Sequence, residues 1–265
     1  MIRFEGVGFR FGGGSDRPWV LSDFDLRIAH GEFHLVLGPS GCGKTTALNL
    51  LAGFEQPTTG AILVDERRIT GAGVDRIVIF QGDDSLYPWL TAIENVEFGL
   101  RVQGVPAAGR RAKAREYLAM VGLSGHESKF PGELSGGMKQ RIQIARALVC
   151  QSAVLLMDEP FAAVDAQTRS MLQEELSLIW QRTACTIFFI THDISEAILL
   201  ADRISVMQAG PASRIKETIA VDMPRPRSPA SADFAHYYQR VHAILAGEVQ
   251  RAARTERESQ ESKSA

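Results

Sequence analysis

The stretch Phe33-His-Leu-Val-Leu-Gly38-Pro-Ser-Gly-Cys-Gly43-Lys44-Thr45 decides the fold class of this chain. A short, mostly apolar run leads directly into a glycine-rich loop of the pattern G-x-x-x-x-G-K-[ST], and residues with helical spacing follow from Thr45 to Phe54. Glycines let consecutive backbone N–H groups turn inward around phosphate oxygens, and the start of the helix adds the positive end of its dipole. Strand, loop and helix in this order predict a phosphate-binding site.

The side chains of this loop are expected to supply both charge and a metal ligand. Lys44 would neutralise the β- and γ-phosphates of a nucleotide, and Thr45 would place its hydroxyl on Mg²⁺. The alternative is a glycine-rich turn with an exposed lysine, but the strand before the loop and the helix after it favour phosphate binding. The predicted nucleotide-binding residues of the loop are Gly38, Pro39, Ser40, Gly41, Cys42, Gly43, Lys44, Thr45 and Thr46.

Three further apolar runs end in polar residues, as the first one does: Ile77 to Gln81, Ala153 to Glu159 and Thr186 to Asp193. Segments with helical spacing alternate with these runs, at Met138 to Cys150, Thr168 to Arg182 and Ile194 to Asp202. Alternating strands and helices predict a largely parallel sheet that is covered on both faces. Because ligands bind beyond the carboxyl ends of such strands, the polar residues after the four runs are expected at one edge.

Four polar residues at these strand ends are the candidates for catalysis and metal binding. Asp158 can hold Mg²⁺, usually through water, and Glu159 is the candidate general base or water-orienting residue. Gln81 can place its carbonyl oxygen on Mg²⁺ or on the attacking water. His192 can hydrogen-bond the γ-phosphate or hold Glu159 in place. Each residue type also occurs at strand ends as an ordinary surface or core residue, so the shared edge is what favours the catalytic interpretation.

A second glycine motif, Leu134-Ser135-Gly136-Gly137-Met138-Lys139-Gln140-Arg141, precedes another predicted helix. Ser135 is a plausible N-cap, and the two glycines would allow a ligand to approach the helix start closely. Taken alone, the motif is equally consistent with a capped helix after a glycine turn. If the motif does bind an anion, the chain has two anion-binding helix starts but only one loop with a lysine. Either the chain then binds two anions, or two copies of the chain share one site.

Composition excludes several classes of protein. The 265 residues include 29 Lys plus Arg against 31 Asp plus Glu, and 45% of them are hydrophobic, as in an ordinary globular protein. A formal net charge of −2 gives no general attraction for nucleic acid, which is not an expected partner. Without a long apolar run, neither a membrane span nor a signal peptide is expected. The scattered Cys42, Cys150 and Cys185 suggest neither disulfides nor a zinc site, and fit a reducing cytoplasm.

The motifs GPSGCGKT, LSGGMKQR and VLLMDEP together resemble those of the ATP-binding subunit of an ABC transporter, over about Ile2 to Pro226. The resemblance implies an α/β fold, a P-loop NTPase of the ABC ATPase type with a helical subdomain inserted at about 86–149. The cassette would span 1–226. The remainder, 227–265, is expected to contain one helix near Ala232 to Ala246 and a disordered, charged tail.

The same resemblance assigns roles to individual residues. Ser135, Gly136 and Gly137 would cap the γ-phosphate of ATP bound to the Lys44 loop of a second copy, so that two Mg-ATP lie within a head-to-tail homodimer. The other correspondences are Gln81 with the Q-loop, Asp165 with the D-loop, His192 with the switch histidine, Glu159 with the catalytic glutamate and Phe11 with the aromatic residue that stacks on adenine.

Within ABC proteins, the segments YPWLTAIENVEFGL and THDISEA resemble the branch that imports nitrate, aliphatic sulfonates and taurine. Tyr87 and the segment Phe161-Ala-Ala-Val-Asp165 depart from that branch's usual residues. The resemblance implies an ATPase on the cytoplasmic face of the membrane that energises uptake of a small anion. Its partners would be transmembrane permease subunits and, indirectly, a solute-binding protein. The apolar and aromatic residues around Pro88 and Trp89 would suit a docking groove for the permease, or equally a buried anchor within the insert itself.

Two other functions remain open from the sequence. One is a soluble ABC ATPase of DNA repair or translation, although such proteins usually carry a long coiled-coil insertion or two cassettes, and this chain has neither. The other is a noncatalytic, nucleotide-dependent interaction subunit. The presence of all the expected catalytic groups argues against this second alternative.

Overall fold

The structure is a computed structural model that describes residues 1–12, 16–80, 85–162 and 164–264, with side chains as far as residue 252. The chain forms two compact units: Met1–Gly73 with Thr186–Ala265, and Val74–Cys185. The strands are β1 (Ile2–Phe9), β2 (Leu21–Ile28), β3 (Phe33–Leu37), β4 (Thr59–Val64), β5 (Arg67–Arg68), β6 (Arg76–Ile79), β7 (Val154–Asp158), β8 (Thr186–Ile190), β9 (Arg203–Met207) and β10 (Ile215–Ala220). The helices are α1 (Lys44–Ala52), α2 (Ala92–Val102), α3 (Ala107–Met120), α4 (Gly136–Leu148), α5 (Ala166–Thr183), α6 (Ile194–Leu200) and α7 (Ala232–Ser264).

The first unit contains parallel strands that position the phosphate loop. β3 lies between β8 and β9 and is parallel to both, and β10 pairs antiparallel with β9. All five residues of β3 and all five of β8 are buried, which explains why both appear in the sequence as continuous apolar runs. Helix α1 packs against β8 and helix α6 against β3.

An antiparallel sheet of order β2-β1-β4-β5 completes this unit. No sequence pattern predicts this sheet, because Gly6 adopts a φ of 53° and the pairing of β1 with β2 shifts register between Phe4 and Val7, which breaks the two-residue period of β1. The sheet packs on the parallel strands through Phe4, whose ring stacks on Phe188 of β8 at 6.3 Å between centroids. Its outer residues are exposed, so β1 lacks a continuous apolar run.

The second unit combines two parallel strands with most of the helices. β6 pairs with β7 in parallel. Helices α2, α3 and α4 pack on one another, and α4 also packs on α5 and β6. A 3₁₀ turn at Pro131–Glu133 leads into the second glycine motif. The segment expected as a helical insert, 86–149, holds α2, α3 and α4.

The C-terminal segment is more regular than the sequence analysis predicted. One helix near Ala232 to Ala246 and a disordered tail were expected, whereas α7 continues to Ser264. The residues after Gly247 are mainly Glu, Gln, Arg, Ala and Ser, several of them strong helix formers. The helix is also anchored by Glu248, which is 2% exposed and accepts a hydrogen bond from the Ala209 N–H at 3.0 Å. Among the described residues, no helix is both long and apolar enough to cross a bilayer.

Candidate functional site

The phosphate loop connects β3 to α1 and has the geometry of an anion site. Gly41 and Gly43 have φ values of 76° and 94°, in the left-handed region that favours glycine. Gly43 is the N-cap of α1, and among the described residues no side chain caps this helix. The N–H groups of the first turn are therefore available to oxygens of a ligand.

Lys44, the first residue of α1, is a buried cation within this loop. Its side chain is 8% exposed, and its Nζ donates to the carbonyl oxygens of Gly38 at 2.8 Å and Pro39 at 3.0 Å. A buried ammonium is costly unless it is paired or hydrogen-bonded. The loop carbonyls therefore hold a positive charge beside the uncapped helix start, and this donor set fits a polyphosphate.

Cys42 is buried inside the phosphate loop. It is 1% exposed, and a Cβ atom added at Gly38 would lie 2.6 Å from its Sγ. Burial raises the pKa of the Cys42 thiol. Gly38 is thus required by close packing of its own loop, and the thiol is protected from reaction.

His192 lies at the same edge as the phosphate loop. Val36 of β3 is paired with Ile190 of β8, and both Gly38 and His192 follow two residues beyond that pair. His192 is exposed and immediately precedes Asp193, the N-cap of α6, whose carboxylate accepts from the N–H of Ser195 at 2.7 Å. The sequence predicted that polar residues after the strands lie at one edge of the sheet. For β3 and β8, Gly38 and His192 do lie at one edge.

Arg227 fixes the other end of α6, a contact that the sequence analysis missed. Its guanidinium donates to the carbonyl oxygens of Ile198 at 2.7 Å, Ala201 at 2.6 Å and Val221 at 2.9 Å. Burial lowers its pKa to about 10. The only signal in the sequence was the basic segment PRPR, which does not indicate that carbonyl groups bind the arginine.

Phe11 is the most accessible of three neighbouring aromatic residues. It is 56% exposed and meets the buried Phe9 edge-to-face at 5.0 Å between centroids. The ring of Trp19 is covered by the guanidinium of Arg10 at 3.6 Å. Phe11 therefore presents an open ring face, as a stacking residue would need.

In the second unit, the acidic pair follows β7. Asp158 is the last residue of this strand, and its neighbour Met157 pairs with Ile79 at the end of β6. Glu159 adopts a φ of 44°, which is uncommon for a residue other than glycine and is found at functional turns. Gln81, expected just beyond β6, lies outside the described residues.

Ser135 begins α4 as predicted. It is the N-cap, and its Oγ accepts a hydrogen bond from the Met138 N–H at 3.3 Å. Ser135 and Gly136 are both exposed. The first turn contains Lys139 and no acidic residue in its sequence, so the positive end of the helix dipole faces solvent.

Asp165 begins α5 in a similar way. Its carboxylate accepts from the N–H groups of Gln167 at 3.1 Å and Thr168 at 3.0 Å. The Thr168 side chain and these backbone hydrogen bonds lower the pKa of Asp165. The turn before α5 is therefore held in place by an ionised cap.

The loop at Tyr87–Thr91 carries the exposed Trp89 on a fixed backbone. The side chain of Asn95 is fully buried and bonds both the N–H of Tyr87, at 2.8 Å, and the carbonyl of Leu90, at 3.0 Å. Trp89 is 70% exposed, and its ring lies 5.6 Å from that of Tyr87. Asn95 is therefore a structural residue, and Trp89 is an exposed aromatic side chain on a fixed loop.

In the part of the chain that the structure describes, no group of three His, Cys, Asp or Glu side chains could hold a metal ion. The expected Mg²⁺ ligands Thr45 and Asp158 belong to different units. Mg²⁺ commonly takes substrate phosphates and water as its remaining ligands.

Parallel strands, a lysine-bearing phosphate loop and a second capped glycine motif define a nucleotide-hydrolysing cassette. The ABC transporter family model matches residues 21–162, and the chain belongs to that family. It is an ATPase with the ABC cassette fold, as the motifs implied.

Three relatives are ATP-binding proteins of transport systems. The chain is 48% identical to the bicarbonate transport ATP-binding protein CmpD of Synechocystis, over 85% of this chain and 81% of that protein. It is 48% identical to the nitrate import ATP-binding protein NrtD of the same organism, over 77% and 76%. It is 45% identical to the taurine import ATP-binding protein TauB of Pseudomonas aeruginosa, over 83% of each. These relatives favour the transport-linked ATPase over the soluble alternative.

A solved structure also matches the fold. It is a dimeric, post-hydrolysis state of the ATP-binding cassette MJ0796 bound to ADP and Pi. The TM-score is 0.71 at 29% identity, and the match covers 84% of this chain and all of that one. The predicted fold class is therefore confirmed.

Proposed function

We propose that this ATPase energises the import of a small anionic solute, of the nitrate, aliphatic sulfonate or taurine class, through separate permease subunits. The observation that carries ATP binding is the buried Lys44 beside an uncapped helix start. The solute class is supported by the relatives that import nitrate and taurine.

The catalytic roles follow from residue chemistry at the strand ends. Lys44 neutralises the terminal phosphates of ATP, Glu159 positions or activates the attacking water, and His192 hydrogen-bonds the γ-phosphate. Bound Mg²⁺ would neutralise developing charge, and its ligands would be Thr45, Asp158 and Gln81. Phe11 would stack on adenine, which its exposed ring supports.

A second copy of the chain completes the site. We propose that Ser135, Gly136 and Gly137 cap the γ-phosphate held by the Lys44 loop of the other copy, with Asp165 beside them. The exposed, cationic start of α4 supports this arrangement, and so does the dimeric state of the MJ0796 cassette.

The permease is proposed to dock around Trp89 and hold the ATPase at the cytoplasmic face of the membrane. The exposed indole on a loop fixed by Asn95 supports this role, because rigid aromatic anchors dominate many protein interfaces. A solute-binding protein would act through the permease without contacting this chain, and nucleic acid is not a proposed partner.

The catalytic proposal is tested with Glu159→Gln. The amide keeps the shape of the side chain but cannot accept a proton from water, so we expect ATP to bind while hydrolysis falls at least about a hundredfold. A closed dimer should then accumulate with ATP, as measured by analytical ultracentrifugation. Hydrolysis by this variant at the wild-type rate would refute the role of Glu159.

The docking proposal is tested with Trp89→Ala, and Phe130→Ala serves as a matched control because Phe130 is also exposed, at 45%, in the same unit. Loss of an interface tryptophan should lower permease affinity at least about thirtyfold, since such anchors contribute about 2 kcal/mol or more. Copurification with the coexpressed permease measures this loss. Equal retention by both variants would place the docking surface elsewhere, and failure of wild-type protein to copurify would favour the soluble alternative.

A further inference from the structure

Thr168 contacts both motifs of the second unit that are proposed to meet another copy of the chain, namely the second glycine motif and the Asp165 turn. It is the third residue of α5, and its side-chain hydroxyl contributes to the lowered pKa of the Asp165 carboxylate. Its backbone N–H donates to the same carboxylate at 3.0 Å. The polar half of the Thr168 side chain thus supports the turn before α5.

The methyl group of Thr168 reaches the second glycine motif. A Cβ atom added at Gly137 would lie only 2.7 Å from Thr168 Cγ2, closer than carbon atoms can approach without a shift. A Cβ at Gly136 would meet no described atom within 4 Å. The two adjacent glycines therefore differ in their surroundings, and it is the second one that the protein's own packing constrains.

The contact between these two helices is reinforced farther along their length. Arg141 of α4 and Glu175 of α5 form an ion pair at 2.7 Å. Arg141 also donates to the carbonyl oxygen of Val121 at 3.3 Å. A shift of the α4 start relative to α5 would therefore strain contacts on both helices rather than a single methyl group.

We propose that Thr168 is a positioning residue that presents the Ser135 helix start and the Asp165 turn to the second copy as one surface. The inference rests on the proposed function, in which Ser135 and Asp165 meet nucleotide and protein across a dimer. The methyl group sets how closely α4 approaches α5, and the hydroxyl sets the Asp165 cap. Each half of one side chain therefore controls a different motif.

The methyl contact is tested by a double-mutant cycle in the Glu159→Gln background, with ATP-induced dimer affinity as the readout. Gly137→Ala should weaken the dimer about tenfold, because the added Cβ displaces the α4 start. Adding Thr168→Ser removes the methyl, keeps the hydroxyl and should restore affinity to within about threefold of Thr168→Ser alone. Gly136→Ala is the matched control, and its effect should be the same with Thr or Ser at 168.

The hydroxyl contact is tested with Thr168→Val, which keeps the methyl. This variant should weaken the dimer about as much as Asp165→Ala, and the two changes together should cost no more than either alone. Thr168→Val should also fail to rescue Gly137→Ala. Nucleotide affinity of the monomer, measured with a fluorescent ATP analogue, should stay unchanged throughout, whereas misfolding would lower it.

The outcomes separate this inference from the proposed function. If Ser135→Ala and Asp165→Ala leave the dimer intact, the proposed dimer roles fail. If both weaken it but Gly137→Ala and Thr168→Ser combine additively, only the role of Thr168 is overturned. Thr168→Ser could also restore the thermal stability of the Gly137→Ala variant without restoring its dimer affinity. The contact would then serve only internal packing, and the inference would be overturned.

Discussion

The two glycine-rich helix starts of this protein, at α1 and α4, differ in how their backbone N–H groups are capped and in how exposed they are. In the first unit, the start of α1 has no side-chain cap among the described residues, and its charge is supplied by a lysine that is 8% exposed. In the second unit, the start of α4 is capped by its own Ser135 and is exposed. The α1 start is therefore enclosed around a buried lysine, whereas the α4 start is open to solvent.

The difference indicates which start can bind a phosphate within a single chain. Lys44 and the uncapped N–H groups of α1 need no further partner to hold an anion. The exposed start of α4 lacks a lysine buried in its loop as Lys44 is. The Oγ of Ser135 already accepts a hydrogen bond from the Met138 N–H. The first start is therefore suited to primary nucleotide binding, and the second to closing over a nucleotide that another copy holds.

The largest expected effect comes from removing the charge of the enclosed start. Lys44→Ala should lower ATP affinity of the monomer at least about a hundredfold, because a buried cation beside phosphates contributes several kcal/mol. Lys139→Ala, which removes the lysine of the open start, is the matched control and should change this affinity less than about threefold. Titration with a fluorescent ATP analogue measures both. Equal losses would show that the two starts do not differ in this way.

A smaller effect is expected from the open start. Ser135→Ala and Ser135→Gly should each weaken the ATP-induced dimer about tenfold while leaving monomer nucleotide affinity within about twofold. Only the alanine should lower the free energy of unfolding appreciably, by about 1 kcal/mol, since glycine is tolerated at an N-cap. Sedimentation and chemical denaturation separate the two effects. A loss of monomer affinity would mean that Ser135 binds nucleotide in its own chain.

The smallest effect concerns how well the first start is enclosed. Because burial raises the pKa of Cys42, its thiolate is scarce at neutral pH and increases only as the pH rises toward the raised value. We expect iodoacetamide at pH 7 to remove less than about half of ATP binding in one hour, and progressively more at pH 8 and 9. Peptide mass spectrometry checks that Cys42 is the labelled residue. Rapid loss of binding at pH 7 would show an open loop.

Sequence patterns predicted the elements that are buried on all sides. β3 and β8 appear as continuous apolar runs because every residue in each is buried. The N-cap at Ser135 was also predictable, since capping depends on a few adjacent residues. The roles assigned to Lys44 and Glu159 depended on motifs whose spacing is local. Local chemistry can be inferred from one segment at a time.

Features that depend on distant segments could not be inferred in that way. The antiparallel sheet was missed because a left-handed Gly6 interrupts β1 and its outer residues are polar. The contact of Thr168 with Gly137 requires the packing of α4 on α5, and the carbonyl partners of Arg227 include groups from two other segments. None of these contacts leaves a periodic signal in the sequence.

Glu248 has a practical consequence for anyone who shortens or labels this protein. Its buried carboxylate lies 3.8 Å from the ammonium of Lys216 and accepts from the backbone of Ala209. A chain cut before residue 248 would leave both groups without this acceptor, whereas one cut after Arg251 would keep it. At about 1.5 Å per residue, α7 continues for about 24 Å from Glu248 to Ser264. The far end of α7 is thus a built-in spacer for a dye or an affinity tag.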